Sequence, residues 1–535
     1  MTPSPFRGVA AVVDGTAEAV PLQDAAGARA GDAAAVAAGD TWAGLMERAG
    51  GHLARGVLRL AGRGYGCKVA VLVGKGNNGG DGWVAARRLA VAGAQAWVVA
   101  AHDAGTPLSD ESAANRDRWL ASGGRASFDL ADLGAALAWA DVAVDALLGT
   151  GVSGAPRGAV GRAAAALLRA RESGLPVVAC DVPSGVDSDT GVAPDGAVVA
   201  DLTVTFGDLK RGHLLHPGAA NAGRVVVGDL GPHYAPPWTA WSALTARGAA
   251  PASLGTAADK RARGTVLVVA GAVGTSGAAA LCGAGALAAG AGLVTVAVPD
   301  PIRAEVAAHH PSTMVQGLPT GHDGAVTADA VHALPDLSIF DAVVAGPGLG
   351  HGPGAAAVVA HLRRHARRLV LDADALNVHR DDHHALADHA GALVLTPHER
   401  ELARIGGGAD GADAWAHRTA RVPALANEYD AVLVAKGPGT IVAAPDGRVW
   451  VAPNGGPALG SGGTGDVLAG VLAAAIAPVV DDEVARQVAR AVWWHAAAGV
   501  RAGALQADRA TAVDLLAALP GVLGDLSEIA KGQRP

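Results

Sequence analysis

The chain has few aromatic side chains, few cysteines and no excess of positive charge. Aromatics are 3% of its 535 residues, so its cores must be built from Val, Leu and Ala rather than from rings. Three cysteines, Cys67, Cys180 and Cys282, lie far apart with no CxxC and no metal-ligand spacing. They are expected as buried thiols in a reducing cytoplasm. The formal net charge of −8 disfavours a nucleic-acid or anionic-membrane partner, since neither attracts an acidic chain. The first residues, MTPSPFRGVAAVVDG, carry one Arg and an Asp within their apolar part, which makes a poor signal peptide. No GxxxxGK[ST] occurs, which excludes a P-loop ATPase.

What is present is an alternation of short apolar runs and helical stretches. Residues 1–31 are Ala-rich and aperiodic, a loose lead-in. From Asp32 to Leu60, the residues Leu45, Met46, Ala49, Leu53, Val57 and Leu60 share one helical face. KVAVLVG (68–74) reads as a buried parallel-type strand. It runs into KGNNGGDG (75–82) and a helix from Trp83 to about Ala92. Further strands are expected at 95–101, 141–149, 176–185, 201–207 and 224–231. The prolines and lost period of 232–258 predict a linker. From Gly264 strands and helices alternate again, ending in two helices at about 466–477 and 483–502. The charge-free stretch Thr265 to Val298 is broken by glycines and reads as strand, helix, strand rather than as a membrane span. The class is α/β with two doubly wound domains, 1–231 and 259–535.

In the first half, GKGNNG (74–79) formally matches the dinucleotide fingerprint G-x-G-x-x-G, and Asp103 stands where a ribose-binding acid would be. Asp81 would repel a pyrophosphate there. A polar loop ending NNGGD suits a cation or a sugar at least as well. Asn78, Asp145, Asp181 and Ser184 all fall at carboxyl ends of expected parallel strands, the edge where open α/β sheets bind ligands. Each alone is more often a cap or turn residue; four together point to a site. GKGNNGGDG, VDALLGTGVSG, CDVPSGVDSDTG and ADLTVTFGDLKRGH together resemble the NAD(P)H-hydrate epimerase family, the YjeF N-terminal domain with its Rossmann-like fold. The resemblance implies potassium held by Asn78, Asp145 and Ser184. It also implies a hydrated nicotinamide substrate lined by Asn77, Asn78, Gly79, Gly80 and Asp81, by Gly149, Thr150, Gly151, Val152, Ser153, Gly154 and Ala155, and by Asp181. Asp181 is the proton shuttle we expect for interconverting R and S forms at C6.

In the second half the central stretch is Gly460 to Gly470, GSGGTGDVLAG. It reads as a glycine turn opening onto a helix, an anion hole with the carboxylate Asp466 beside it as general base. The plainer reading is a Gly-rich loop with a capping Asp. AGPGLG (345–350), LDADALN (371–377), LTPHERE (395–401) and KGPGT (436–440) accompany it. The set resembles the ADP/ATP-dependent NAD(P)H-hydrate dehydratase family, which has a ribokinase-like fold. The resemblance implies an adenine nucleotide on Lys436, Gly437, Pro438, Gly439, Thr440 and Gly465, and hydrated dinucleotide on Ala278, Gly348, His398 and Asp466. Where that family usually has Pro-Glu, this chain has Pro311-Ser312. The expected substrates are hydrated NADH or NADPH and ADP with Mg2+, the Ala/Gly/Arg bias of a GC-rich bacterium favouring ADP. A homo-oligomer is expected. The competing readings are a ribokinase-fold kinase for a sugar or hydroxymethylpyrimidine, and an N-terminal half that only senses ligands or binds proteins.

Overall fold

The computed structural model describes residues 17–252, 259–407, 413–479, 483–506 and 508–532. The chain divides into two compact units, one of residues 20–241 and one of 242–532 joined by residues 17–19.

The N-terminal unit holds strands β1 (Ala19–Gln23), β2 (Lys68–Val73), β3 (Gln95–Ala100), β4 (Arg125–Ser127), β5 (Val142–Ala146), β6 (Val177–Cys180), β7 (Leu202–Phe206), β8 (Leu209–Lys210) and β9 (Arg224–Gly228). Seven of them form a parallel sheet in the order β4-β3-β2-β5-β6-β7-β9. The chain starts at β2, winds out to β4, then returns to β5 on the other side. Its switch point, where such sheets bind ligands, therefore lies between the carboxyl ends of β2 and β5. Every residue of β5, β6 and β7 is buried, as expected of strands covered on both faces.

The expected helix from Trp83 begins earlier, at Asn77, and runs to Val91. NNGGD is thus its first turn rather than a loop. A Cβ on Gly79 would lie 2.0 Å from the Gly74 carbonyl oxygen, so only glycine lets the helix start this close to the strand end. The loose lead-in is also corrected where it is described: β1 and a helix at Ala25–Ala37 occupy it, the helix capped by Asp24 Oδ1 accepting from Gly27 N at 2.8 Å. Ala-rich sequence offers little apolar contrast, so its period was invisible. Residues 1–16 lie outside the described residues.

The C-terminal unit carries β10 (Trp241–Leu244), β11 (Thr265–Val269), β12 (Leu293–Pro299), β13 (Met314–Leu318), β14 (Ala342–Ala345), β15 (Arg368–Leu371), β16 (Ala392–Leu395), β17 (Val432–Ala435), β18 (Ile441–Ala443) and β19 (Val449–Val451). Their order is β13-β12-β11-β14-β15-β16-β17-β18-β19-β10. Pairing is parallel from β13 to β17 and antiparallel through β18 to β19. The linker expectation fails at 241–250. β10 lies there, Thr245 and Ala249 are fully buried, and Trp494 Nε1 donates to the Ala249 carbonyl at 2.6 Å. Small residues and prolines hid a segment whose order comes from partners remote in sequence. Residues 253–258 lie outside the described residues.

The charge-free stretch folds as expected, as β11, a helix Ser276–Ala288 and β12. Among the described residues no helix is long and apolar enough to cross a membrane. Ser276–Ala288 packs against Thr464–Ile476, the helix opened by GSGGTG, with backbones almost touching. A Cβ on Gly470 would sit 1.9 Å from the Cys282 carbonyl oxygen. Gly470→Ala is therefore expected to destabilise the unit by about 3 kcal/mol through overpacking against backbone. The gain in helix propensity, about 1 kcal/mol, is smaller. A urea midpoint unchanged from that of the parent would refute this.

Candidate active sites

At the N-terminal switch point a cavity of about 830 Å³ opens beside Asn77, Asn78, Asp81, Asp181 and Lys210. Asp181 follows β6 in a left-handed conformation, φ 61°, which turns its carboxylate toward β7 and β8. Its Oδ1 accepts from Lys210 Nζ at 2.7 Å and from Thr205 Oγ1 at 2.8 Å. Burial alone would raise its pKa, but the Lys210 ammonium and these two donors outweigh burial and hold it below the usual carboxylate value. His213 is pushed down to about 4, chiefly by burial. The neutral ring accepts from Lys210 N through Nδ1 at 3.1 Å and gives its Nε2 proton to the Asp181 carbonyl at 2.9 Å. Asp81 is driven well above the carboxylate range by burial, then by Asp181 and Asp32. The cavity therefore holds an ionised carboxylate and a neutral one.

Beneath it, Asp145 at the end of β5 is fully buried. Ser184 Oγ donates to its Oδ1 at 2.6 Å, Ser184 N to its Oδ2 at 2.8 Å, and Leu147 N to Oδ1 at 3.2 Å. These donors are all neutral. Burial accordingly lifts Asp145 to about 6 despite them. Asn78 Nδ2 reaches the Leu148 carbonyl at 2.8 Å, and Leu148 N donates to Ser184 Oγ at 2.9 Å. Asn78, Asp145 and Ser184 thus surround one backbone turn.

The remaining expected substrate positions divide. Gly149, Thr150 and Val152 line the cavity; Gly151, Ser153, Gly154 and Ala155 are exposed and are not part of its lining. Gly79 and Gly80 are buried inside the helix turn, where a Cβ on Gly80 would meet Ser112 Oγ at 2.5 Å.

In the C-terminal unit, Lys436 follows β17 and pairs with Asp372 at the end of β15, Nζ to Oδ1 2.5 Å. Thr396 Oγ1 donates to the same oxygen at 2.7 Å, and Glu401 lies 3.9 Å from Lys436 Nζ. Despite burial, Asp372 and Glu401 keep the Lys436 pKa above its ordinary value. His398 caps the short turn after β16: its N donates to Glu401 Oε2 at 2.9 Å and its Nδ1 accepts from Arg400 N at 3.0 Å. Asp466 sits in the first turn of the helix Thr464–Ile476. Burial raises it to about 7, Asp372 adding to this and Lys436 opposing it. Gly465 stands beside that ammonium, a Cβ there lying 3.6 Å from Lys436 Nζ. The buried His495, pushed down to about 4 mainly by burial, holds the helix start by its Nε2 on the Thr464 carbonyl at 2.8 Å.

Beyond the ends of β11 and β14, Gly348 packs on Ala278, with 3.0 Å between a Cβ there and that of Ala278, and its carbonyl accepts from Thr275 Oγ1 at 2.8 Å. Gly350 N donates to Asp374 Oδ2 at 2.8 Å. In the KGPGT loop, Thr440 Oγ1 donates to the Gly437 carbonyl at 2.9 Å, and Arg418 Nη2 reaches the carbonyls of Pro438 and Gly439 at 3.2 and 3.1 Å. The arrangement can hold an anion at the glycine turns and withdraw a proton at Asp466.

A family model described as NAD(P)H-hydrate dehydratase matches residues 266–520, and one described as YjeF-related protein N-terminus matches 43–212. The bifunctional NAD(P)H-hydrate repair enzyme Nnr of Moorella thermoacetica is 35% identical over 509 residues, covering 90% of this chain and 93% of that protein. Its namesake from Gloeobacter violaceus is 39% identical over 484 residues, covering 88% and 91%. The chain belongs to the family of bifunctional NAD(P)H-hydrate repair enzymes. Among solved structures, the ADP/ATP-dependent NAD(P)H-hydrate dehydratase of Bacillus subtilis, co-crystallized with ATP/Mg2+, is 27% identical with a TM-score of 0.43, covering 52% of this chain and 96% of that one.

Family membership sharpens what sequence reading missed. Lys210 and His213 stand in the DLKRGH motif, yet nothing in the spacing said that Lys210 would reach back to Asp181. Asp372 and Glu401 likewise lie in LDADALN and LTPHERE, and only the fold joins them to Lys436. Asp32 and Tyr234 lie outside the match to the N-terminal model altogether, and both line the cavity.

Proposed function

We propose that this chain repairs hydrated nicotinamide dinucleotides. Its N-terminal unit interconverts the R and S forms of hydrated NADH and NADPH, and its C-terminal unit dehydrates the S form to NAD(P)H while ADP becomes AMP and phosphate. The observation that carries the reading is Asp466, a carboxyl poised near neutrality beside Lys436 at a glycine-opened helix start. Hydroxide is a poor leaving group. With Asp466 taking the C6 hydroxyl proton, phosphoryl transfer makes that oxygen a good one, and elimination of phosphate restores the dihydropyridine. Lys436, the Gly437–Thr440 backbone and Gly465 would hold the nucleotide phosphates, and Ala278, Gly348 and His398 the ring. Mg2+ would accompany ADP on its phosphates; the carboxylates gathered here suit its preference for oxygen.

Potassium fits the N-terminal unit. The donors Asn78, Asp145 and Ser184 offer oxygen, and the buried Asp145 carboxylate has only neutral hydrogen-bond donors, so a monovalent cation would compensate its charge. There it would fix the two turns that carry the cavity rim.

The small-molecule kinase reading is not favoured, because relatives of the repair family match both units over about nine-tenths of the chain. The proposal extends to a homo-oligomer in the cytoplasm with no nucleic-acid partner; buried Cys67, Cys180 and Cys282 and the charge of −8 support the latter two. Light scattering giving the 52.6 kDa monomer mass would remove the first.

The test is to give the protein a mixture of both epimers of hydrated NADH with ADP, Mg2+ and K+ and to follow dihydropyridine absorbance. Full recovery is expected. Recovery of the S form alone would remove the epimerase half, and no recovery of either form would remove the dehydratase half. Exchanging K+ for a large organic cation is expected to slow recovery of the R form and spare that of the S form.

A further inference from the structure

Epimerising a carbinolamine carbon needs a proton on each face of the ring. The C6–O bond breaks with its electron pair going to oxygen, which must be protonated to leave as water. The N1 lone pair then forms C6=N1 and makes C6 planar. Water adds to the opposite face and must lose a proton. One carboxylate, Asp181, serves one face only.

The segment before the family match supplies another. β1 pairs with β8 in parallel, placing Leu22 opposite Leu209 and Gln23 opposite Lys210. The helix Ala25–Ala37 starts two residues later and is pinned twice more: Ala25 N donates to Asp189 Oδ1 at 2.7 Å, and Asp24 pairs with Arg211 at 3.0 Å. Asp32, two turns along it, lines the same cavity as Asp81, Asp181 and Lys210. Tyr234 closes that side. Its ring is held between Gly31 and Gly207, where a Cβ would come within 2.7 and 2.3 Å of it, and its buried hydroxyl has no hydrogen-bond partner. An unpartnered buried hydroxyl within electrostatic reach of Asp32, both on the wall of one cavity, marks this side as able to take a polar partner.

We propose that Asp32 is the second proton carrier of the epimerase, donating to the hydroxyl leaving one face of C6 while Asp181 accepts from the water entering the other. The step balances: one water leaves, one enters, and the proton moved from Asp32 to Asp181 returns through solvent. The inference rests on the epimerase reading. The groups facing Asp32 are Lys210, Asp181, Asp81 and the Tyr234 hydroxyl, with Arg29 one turn earlier and Asp208 beside Tyr234. Among them Asp32 is lifted to about 6, by burial first, against the pull of Lys210 and with the push of Asp181. It can therefore cycle near neutrality, whereas Asp81, held far above the carboxylate range, stays protonated as a fixed donor.

The active form is the pair carrying one proton, so kcat/KM for epimerisation should fall as pH rises through about 6. The test is Asp32→Asn, assayed for R-form recovery with the S form as internal control. We expect kcat/KM down by about 100-fold, KM unchanged, the limb near pH 6 abolished, and dehydration of pure S form at the parent rate. Asp32→Glu should restore much of the lost rate. The inference is overturned by an Asp32→Asn enzyme that keeps its rate, by one that loses rate with the pH limb intact, or by Asp32→Glu behaving like Asp32→Asn. A parent enzyme that recovers no R form brings down the epimerase reading instead.

Discussion

Asp466→Asn is expected to lower dehydration of the S form by about 10³-fold with little change in ADP binding. The carboxyl is the group the geometry offers for taking the hydroxyl proton, whereas the nucleotide positions proposed above lie on Lys436 and the glycine turns. A general base works ionised, so the parent's rate should rise with pH through about 7, the value at which burial and Asp372 hold Asp466. The same environment makes a stability prediction of opposite sign. The folded state binds this proton far more tightly than the unfolded chain, so between about pH 4 and 7 the native state loses stability as pH rises. The asparagine, which cannot ionise, should be more stable at pH 8 by about 3 kcal/mol. Urea unfolding and a pH–rate profile check both halves. An inactive variant that is also less stable would show that Asp466 is a structural cap, the plainer reading of GSGGTGD.

Lys210→Met is the second large effect. Lys210 is buried and its ammonium is the cation on Asp181. Removing it leaves a buried carboxylate with only Thr205 as side-chain donor, at a cost of about 3–5 kcal/mol. The pH dependence should invert. In the parent, Asp181 lies below the usual carboxylate value, so its stabilisation is present above about pH 4 and is lost as pH falls through its folded value. In the variant burial outweighs the remaining Thr205 donor, Asp181 takes up a proton, and stability instead falls as pH rises through the new, higher value. R-form recovery should vanish while S-form dehydration in the other unit persists. Equal loss of both activities would mean that Lys210 supports the whole chain and not the cavity.

The central strands of both sheets were legible because buried parallel strands are continuous apolar runs, as in KVAVLVG and TVLVVAG; the edge strands β4 and β13, only partly buried and without such a run, were not. Asp145, Asp181 and Ser184 were legible because chemistry at such sheets gathers on one edge. The segments at 17–37 and 241–250 were not. Alanine and glycine carry no amphipathic contrast, and their order comes from pairing with β8 and from bonds to Trp494, far away in sequence. NNGGD read as a loop because glycine and asparagine break helices locally; here Gly79 lets a helix begin against Gly74.

By itself the sequence determined the two α/β units, the family and the residues bearing glycine turns and carboxylates, because these are encoded within a few positions of one another. Only the tertiary structure decided how those carboxylates differ. Asp181 is ionised because Lys210, 29 residues on, reaches it; Asp466 is held near neutrality because the fold buries it, with Asp372 adding to the effect; and Asp32 enters the site because β1 pairs with β8. A pKa depends on what the fold brings within a few ångströms, and no spacing along the chain carries that distance.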